Sequence, residues 1–346
     1  MTDIDFESLR RIGLTQAIAS QVPAAGAQEP GTRLARITQV HRSGAQAHDG
    51  CTEFPTHTLS RHRESPLAVG DWVLADAAGH IMARLEASSC IARRAGEGGR
   101  QQLAANVDTA LLVMGLDHDF NLRRMERYLT LVHAAAVAPV VVLTKADIAP
   151  DAGELQAQLQ RRIPPGVPVL AVNGQSAATR TALAPWLGAG QTLIVLGSSG
   201  AGKSTLTNTL TGVDQATGGV REGDSRGRHT TTSRSLHLCE GGACIIDTPG
   251  LRSLSPDIGE DGLSAAFEDI EGLAALCQFR DCGHEAEPGC AVRGAVDPDR
   301  LHNYRKLLRE ARRAGQTPLD RIAARAKWKV LVKEAGVRNR HKNGES

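Results

Sequence analysis

Aromatic residues are scarce in this 346-residue chain, where Phe, Tyr and Trp together make up 3%. A core resting on ring packing is excluded, and Leu, Val, Ile and Ala must supply the buried surface. Long apolar runs are also missing. The longest, Ala134–Leu143, is far shorter than the about 20 residues a helix needs to cross a bilayer. The N-terminus carries acids and no apolar segment, so no signal peptide is expected. Seven cysteines form an odd set without export signals. This argues against a disulfide framework and for reduced thiols in a cytosolic protein.

Hydrophobic content of 41% and charged content of 23% fit a soluble globular protein, and the length allows two or three domains. The net charge of +2 is unevenly spread. Leu301–Ser346 carries 13 Lys/Arg and 4 Asp/Glu, or +9, which leaves −7 for the rest. A basic tail of this kind suits a polyanionic partner, although charge runs are also common on solvated helices.

The richest stretch is Gly197-Ser198-Ser199-Gly200-Ala201-Gly202-Lys203-Ser204, a Gly-x4-Gly-Lys-Ser phosphate loop. An apolar strand, Thr192–Leu196, precedes it, and Ser204–Leu210 has helical spacing. Glycines turn backbone N–H groups onto the phosphates, and the helix N-terminus adds its positive end. Lys203 is expected on the β- and γ-phosphates and Ser204 on Mg²⁺, with Thr205 beside them. Some 40 residues on, the strand Ala243–Ile246 runs into Asp247-Thr248-Pro249-Gly250. Asp247 is expected to hold Mg²⁺ and the Gly250 N–H to sense the γ-phosphate.

Thr144-Lys145-Ala146-Asp147 closes the strand Pro139–Leu143. One carboxylate, Asp147, can accept from both N1–H and the exocyclic amine of guanine. Adenine lacks both donors and would leave the carboxylate unpaired. This base-reading motif precedes the phosphate loop by some 50 residues, whereas it follows the loop in ordinary GTPases. Moving the chain's entry point on an unchanged sheet, a circular permutation, accounts for that order.

Between the phosphate motifs lies Gly227-Arg228-His229-Thr230-Thr231-Thr232. Thr230 or Thr231 is expected to complete the Mg²⁺ shell. The position after Asp-x-x-Gly, where many GTPases place a water-orienting Gln, is Leu251. His229 is therefore the candidate catalytic residue; contact with RNA or ordering of the loop is the alternative role. Cys277, Cys282, His284 and Cys290 fall within 14 residues. Three thiolates and an imidazole form a closed tetrahedral site for one structural Zn²⁺.

Elsewhere, Phe6–Ser20 reads as a short helix. Arg33–Val40, Thr52–Leu59, Asp71–Ala75 and His80–Leu85 read as short strands of a small oligonucleotide/oligosaccharide-binding (OB) type barrel. Arg33, Arg36, His41, Arg42, Arg61, His62 and Arg63 are scattered through that barrel and suit RNA contact or a structural role. From Thr109 onward strands and helices alternate, as in a parallel sheet covered on both faces. Tyr304–Ala314 and Ile322–Ala335 read as basic helices.

The ordered set of base motif, phosphate loop, Gly-Arg-His-Thr-Thr-Thr and Asp-Thr-Pro-Gly resembles the ribosome small-subunit-dependent GTPase A family. So do Ala68–Val73, Ala104–Asp108, Asn121–Arg124 and the Cys/His cluster. The likeness covers about Thr32 to Ala314. It implies an α/β fold: a circularly permuted P-loop GTPase domain between an N-terminal OB-type β-barrel and a C-terminal zinc-binding α-helical domain. Expected boundaries are 1–31 for an extension, 32–95 for the barrel, 96–262 for the GTPase domain and 263–346 for the zinc domain with its basic helices. The resemblance further implies GTP/GDP and the small ribosomal subunit with its rRNA as partners. Turnover is expected to be faster on the subunit, and assembly factors to be released late in maturation. A cytoplasmic monomer is expected. Two departures stand out: Thr144 replaces the usual Asn, and Ala171-Val172-Asn173-Gly174 replaces a Ser-containing base-contact segment. The rival readings are a small-molecule phosphate-loop kinase and a nucleotide-gated RNA-binding module that barely hydrolyses.

Overall fold

The computed structural model describes residues 4–25, 31–41, 44–58, 66–94, 100–213, 234–248 and 260–315. The Gly227–Thr232 loop with His229, Thr230 and Thr231 lies outside the described residues. So do Pro249, Gly250, Leu251, Arg42, Arg61–Arg63 and the helix expected over Ile322–Ala335.

The N-terminal segment forms two short helices, α1 (Phe6–Arg11) and α2 (Gln16–Ala19), where one was expected. The break falls at Gly13, whose φ is +91°. A Cβ there would meet Arg36 Nη1 at 2.1 Å, so the helix cannot continue past this point. Asp5 and Thr15 cap the two pieces. Leu9, Ile12, Leu14, Ile18 and Val22 are buried in the main core, so this segment is part of the folded body.

Five strands build the barrel: β1 (Arg33–His41), β2 (Gly44–His48), β3 (Glu53–Thr58), β4 (Trp72–Ala75) and β5 (His80–Arg84). Their order is β1-β2-β3-β5-β4, with β4 returning to pair with β1, which closes the ring. Ala35, Ile37, Ala47, Phe54, Val73 and Ile81 fill it. A hairpin follows, β6 (Cys90–Arg94) with β7 (Arg100–Ala105).

Of the two roles open to it, Arg36 takes the structural one: its side chain is fully buried. Its guanidinium donates to the Ile12 carbonyl, to Thr192 Oγ1 at 2.9 Å and to the Asn106 carbonyl at 3.0 Å. One charge therefore ties the N-terminal segment, the barrel and the following domain together. Burial holds its pKa below the usual arginine value, against the nearby charges of Asp108 and Asp71.

The nucleotide-type sheet contains β8 (Thr109–Gly115), β9 (Ala138–Thr144), β10 (Val169–Ala171), β11 (Thr192–Gly197), β12 (Arg234–Leu238) and β13 (Cys244–Asp247). Its order is β10-β9-β8-β11-β13-β12. All neighbours are parallel except β12, which runs antiparallel to β13. The strands that alternate with helices are parallel as expected, and the β12 hairpin strand makes the sheet mixed. β12 also pairs with β1 through Gln39↔Ser235 and Val40↔Arg234, so barrel and sheet share one hydrogen-bonded ladder. β8 and β11 are buried along their whole length, as strands covered on both faces should be.

The helices of this domain are α3 (Leu122–Ala134), α4 (Ala152–Gln160), α5 (Ala177–Leu183) and α6 (Lys203–Thr211). Three more, α7 (Glu260–Ala266), α8 (Glu268–Ala274) and α9 (Pro298–Gly315), form the C-terminal part. Phe267 and Tyr304 meet edge to face at 5.4 Å in its core. Glu126 on α3 is fully buried and joins the two parts. It accepts from Arg162 Nε at 3.0 Å, Arg300 Nη1 at 2.9 Å and Asn303 Nδ2 at 2.5 Å.

Candidate functional site

β8, β9 and β11 end together on one edge of the sheet, the edge where open α/β folds hold ligands. The phosphate loop leaves β11 there and enters α6 at Lys203. Lys203 is buried, and its ammonium donates to the Ser198 carbonyl at 2.6 Å, inside its own loop. Asp247 at the end of β13 is 1% exposed, and neither of its carboxylate oxygens has a hydrogen-bond partner. Burial pushes Asp247 up and Lys203 down in pKa, each opposed by the other's charge. Two orphaned, buried carboxylate oxygens close to an ammonium are costly unless a cation joins them. The oxygen-only donors Asp247 and Ser204 fit Mg²⁺, a hard cation.

The base motif sits against the phosphate loop. The Thr144 hydroxyl, buried at the end of β9, donates to the Ala201 carbonyl at 2.6 Å. Thr144 can therefore make the link to the phosphate loop although it is not the usual Asn. Lys145 Nζ donates to the Gly200 carbonyl at 2.9 Å and to Asp117 Oδ2 at 2.7 Å. A 220 Å³ cavity opens beside these residues, lined by Thr144, Lys145, Asp147, Asn173, Gly174 and Thr205 among others. Asp147 is exposed on its wall. Val172 N–H is already committed to the Leu143 carbonyl at 2.8 Å. Asn173 and Gly174, the residues of that segment on the cavity wall, carry the remaining backbone N–H groups beside it.

Sequence reasoning missed two residues of this site. Asp119, just before α3, accepts from Ser198 Oγ at 2.5 Å and pairs with Arg124 at 2.6 Å. The cap of α3 is Asn121, whose side chain accepts from Arg124 N. Asp117 was not singled out at all. Both lie far in sequence from the loops they hold, and neither belongs to a spaced motif.

The second candidate site lies between α8 and α9. The ligand atoms of Cys277, Cys282, His284 and Cys290 all lie within 4.8 Å of one another. His284 Nδ1 is 3.7 Å from Cys277 Sγ and 3.5 Å from Cys290 Sγ. Tetrahedral zinc with Zn–S bonds of about 2.3 Å and a Zn–N bond of about 2.1 Å places nitrogen and sulfur about 3.6 Å apart, so this spacing fits. Backbone N–H groups of Ala291 and Arg293 point at Cys277 and Cys290 sulfurs, at 3.4 and 3.3 Å. Such donors stabilise thiolates. The cluster can hold a metal ion, and no further metal-ligating cluster is found among the described residues.

Comparison with known proteins agrees with this geometry. The family described as RsgA GTPase matches residues 84–256. A protein of Xanthomonas oryzae pv. oryzae named small ribosomal subunit biogenesis GTPase RsgA is 46% identical over 314 residues, covering 86% of each chain. One from Vibrio parahaemolyticus, named small ribosomal subunit biogenesis GTPase RsgA 2, is 44% identical over 311 residues, covering 87% of this chain and 86% of its own. Among solved structures, YjeQ from Thermotoga maritima superposes with a TM-score of 0.60 at 22% identity, over 83% of this chain and all of its own. YloQ, titled a circularly permuted GTPase, gives 0.57 at 23%, over 84% of this chain and 98% of its own. At that identity the structures speak for the fold alone. No helix among the described residues is long and apolar enough to cross a membrane.

Proposed function

The chain belongs to the RsgA GTPase family, and from that premise we propose that it hydrolyses GTP while bound to the small ribosomal subunit during late maturation. The observation that carries the nucleotide part is the bonding of Thr144 and Lys145 to Ala201 and Gly200. A base-reading motif and a phosphate loop, 50-odd residues apart in reversed order, are braced as one site. The subunit part rests on the printed names of the relatives.

Each residue has a role in this reading. Asp147 reads guanine, with Asn173 N–H beside it. Gly197–Gly202 wrap the phosphates, with Thr205 alongside and Gly250 at the γ-phosphate. Lys203 holds the β- and γ-phosphates. Ser204 and Asp247, with Thr230 or Thr231, would hold Mg²⁺, which neutralises charge gathering on the phosphate oxygens when bound. His229 orients the attacking water, because Leu251 cannot. The four residues at Cys277–Cys290 hold Zn²⁺, which fastens the C-terminal part. The barrel and the basic tail meet rRNA, and hydrolysis is coupled to the checking or release of assembly factors. The working units are 32–95, 96–262 and 263–346, in a cytoplasmic monomer.

Calorimetry with GDP against ADP tests the base assignment: tight GDP binding and no measurable ADP binding are expected. Co-sedimentation with small subunits in GDP, GTP-analogue and nucleotide-free states tests the partner. Binding that ignores nucleotide state would overturn the coupling.

A further inference from the structure

The lysine of the base motif is stationed by a carboxylate outside every motif named above. Lys145 sits in the left-handed region, with φ +63°. A Cβ-bearing residue holds such a conformation only where its surroundings enforce it. Its ammonium makes two bonds, to the Gly200 carbonyl at 2.9 Å and to Asp117 Oδ2 at 2.7 Å. The carbonyl is neutral, so the charged anchor is Asp117, on the loop that follows β8.

Asp117 is itself held in place. Its Oδ1 accepts from Asp119 N at 3.0 Å. A Cβ at Gly115 would lie 2.6 Å from that same oxygen, so the bare glycine is what lets the carboxylate lie back over the strand end. Asp119, next along, binds Ser198 of the phosphate loop at 2.5 Å. One loop therefore braces the base motif through Asp117 and the phosphate loop through Asp119.

We infer that Asp117 is a positioning residue for guanine-nucleotide binding: it fixes the Lys145 side chain against the phosphate loop before nucleotide arrives. Lys145 lines the 220 Å³ cavity, so anchoring its head fixes one wall of the nucleotide site. Preorganising that wall spares the ordering of a long, rotamer-rich side chain on binding. The inference rests on the proposed reading of Thr144–Asp147 as the base site.

The test compares Asp117→Ala, Asp117→Asn and wild type as full-length proteins, with GDP and inosine diphosphate as probes. Loss of a charge-assisted bond predicts about tenfold weaker GDP binding for Asp117→Ala. Asp117→Asn keeps a neutral acceptor and should recover about half of that loss on a logarithmic scale. The GDP-to-inosine-diphosphate ratio reads the exocyclic amine and hence Asp147, so it should not move. KM for GTP should rise with little change in kcat, and the melting temperature without nucleotide should match wild type. Wild-type GDP affinity in Asp117→Ala would overturn the role, as would a shared drop in melting temperature without rescue by Asn. If wild type itself fails to bind GDP, the base-site reading falls, and the Asp117 role falls with it.

Discussion

Arg300 Nη1 donates to Glu126 Oε1 at 2.9 Å, across the join between the nucleotide domain and the C-terminal helices. The two residues are 174 positions apart and both are buried. Arg162 and Asn303 share the same carboxylate, while Arg300 also pairs with Asp269 at 2.6 Å and lies 4.6 Å over the Phe267 ring. α9 is thus fixed to α3, the helix that begins just after Asp119 and Asn121.

Breaking this network from its centre should be costly. Glu126→Ala leaves two buried guanidinium groups without their shared anion, a type of change that costs about 3–5 kcal/mol. Equilibrium denaturant unfolding should show that loss, with Glu126→Gln losing less. A change within 0.5 kcal/mol, the spread typical of neutral surface substitutions, would mean the network contributes little.

The same join predicts an acid response. Asp299 is pulled down to about 2, chiefly by hydrogen bonding to Arg123; burial opposes this, and a hydrogen bond from Arg162 adds a smaller lowering. A carboxylate lowered on folding stabilises above its unfolded value and loses that contribution as pH falls toward the folded one. Stability should therefore decline between about pH 4 and pH 2. Asp299 is half exposed, so the effect should be small and weakened by salt. Asp299→Asn should flatten this part of the stability–pH curve. An unchanged slope in the variant would assign the acid response to other groups.

Asp147→Asn converts a double acceptor into a group that both donates and accepts. It should lower GTP affinity by at least about tenfold and favour xanthosine nucleotides, whose exocyclic oxygen accepts where guanine donates. Calorimetry with both nucleotides is the check. Unchanged GTP binding would remove Asp147 from the base site.

Metal analysis should find one zinc per chain. Stripping it should unfold the region around Cys277–Cys290 and leave GDP affinity largely intact, because binding energy at such a site is local folding energy. Absence of zinc together with a disulfide among Cys277, Cys282 and Cys290 would contradict the assignment.

What could be read from the sequence followed the physics of each signal. Strands buried on both faces, such as Thr109–Gly115, announce themselves as apolar runs, and the phosphate loop and Cys/His cluster carry fixed spacings. The strand Gly44–His48 did not: it has no β-branched or aromatic residue, and only pairing with β1 and β3 makes it a strand. The Arg100–Ala105 strand was hidden for a similar reason, since Arg-Gln-Gln has no apolar alternation. For Arg36 the sequence left RNA contact and a structural role open; it is buried because it satisfies carbonyls from three segments. Asp117 and Asp119 act on residues 28 and 79 positions away. No local pattern encodes such partners.

The central claim is a GTP hydrolase that answers to the small ribosomal subunit. Single-protein turnover should be slow, since Leu251 cannot hold water. GTP hydrolysis measured alone, with purified small subunits and with large subunits decides the matter. The account predicts stimulation of at least about tenfold by small subunits only, lost in His229→Ala while GTP binding is kept. Equal turnover in all three conditions would contradict it.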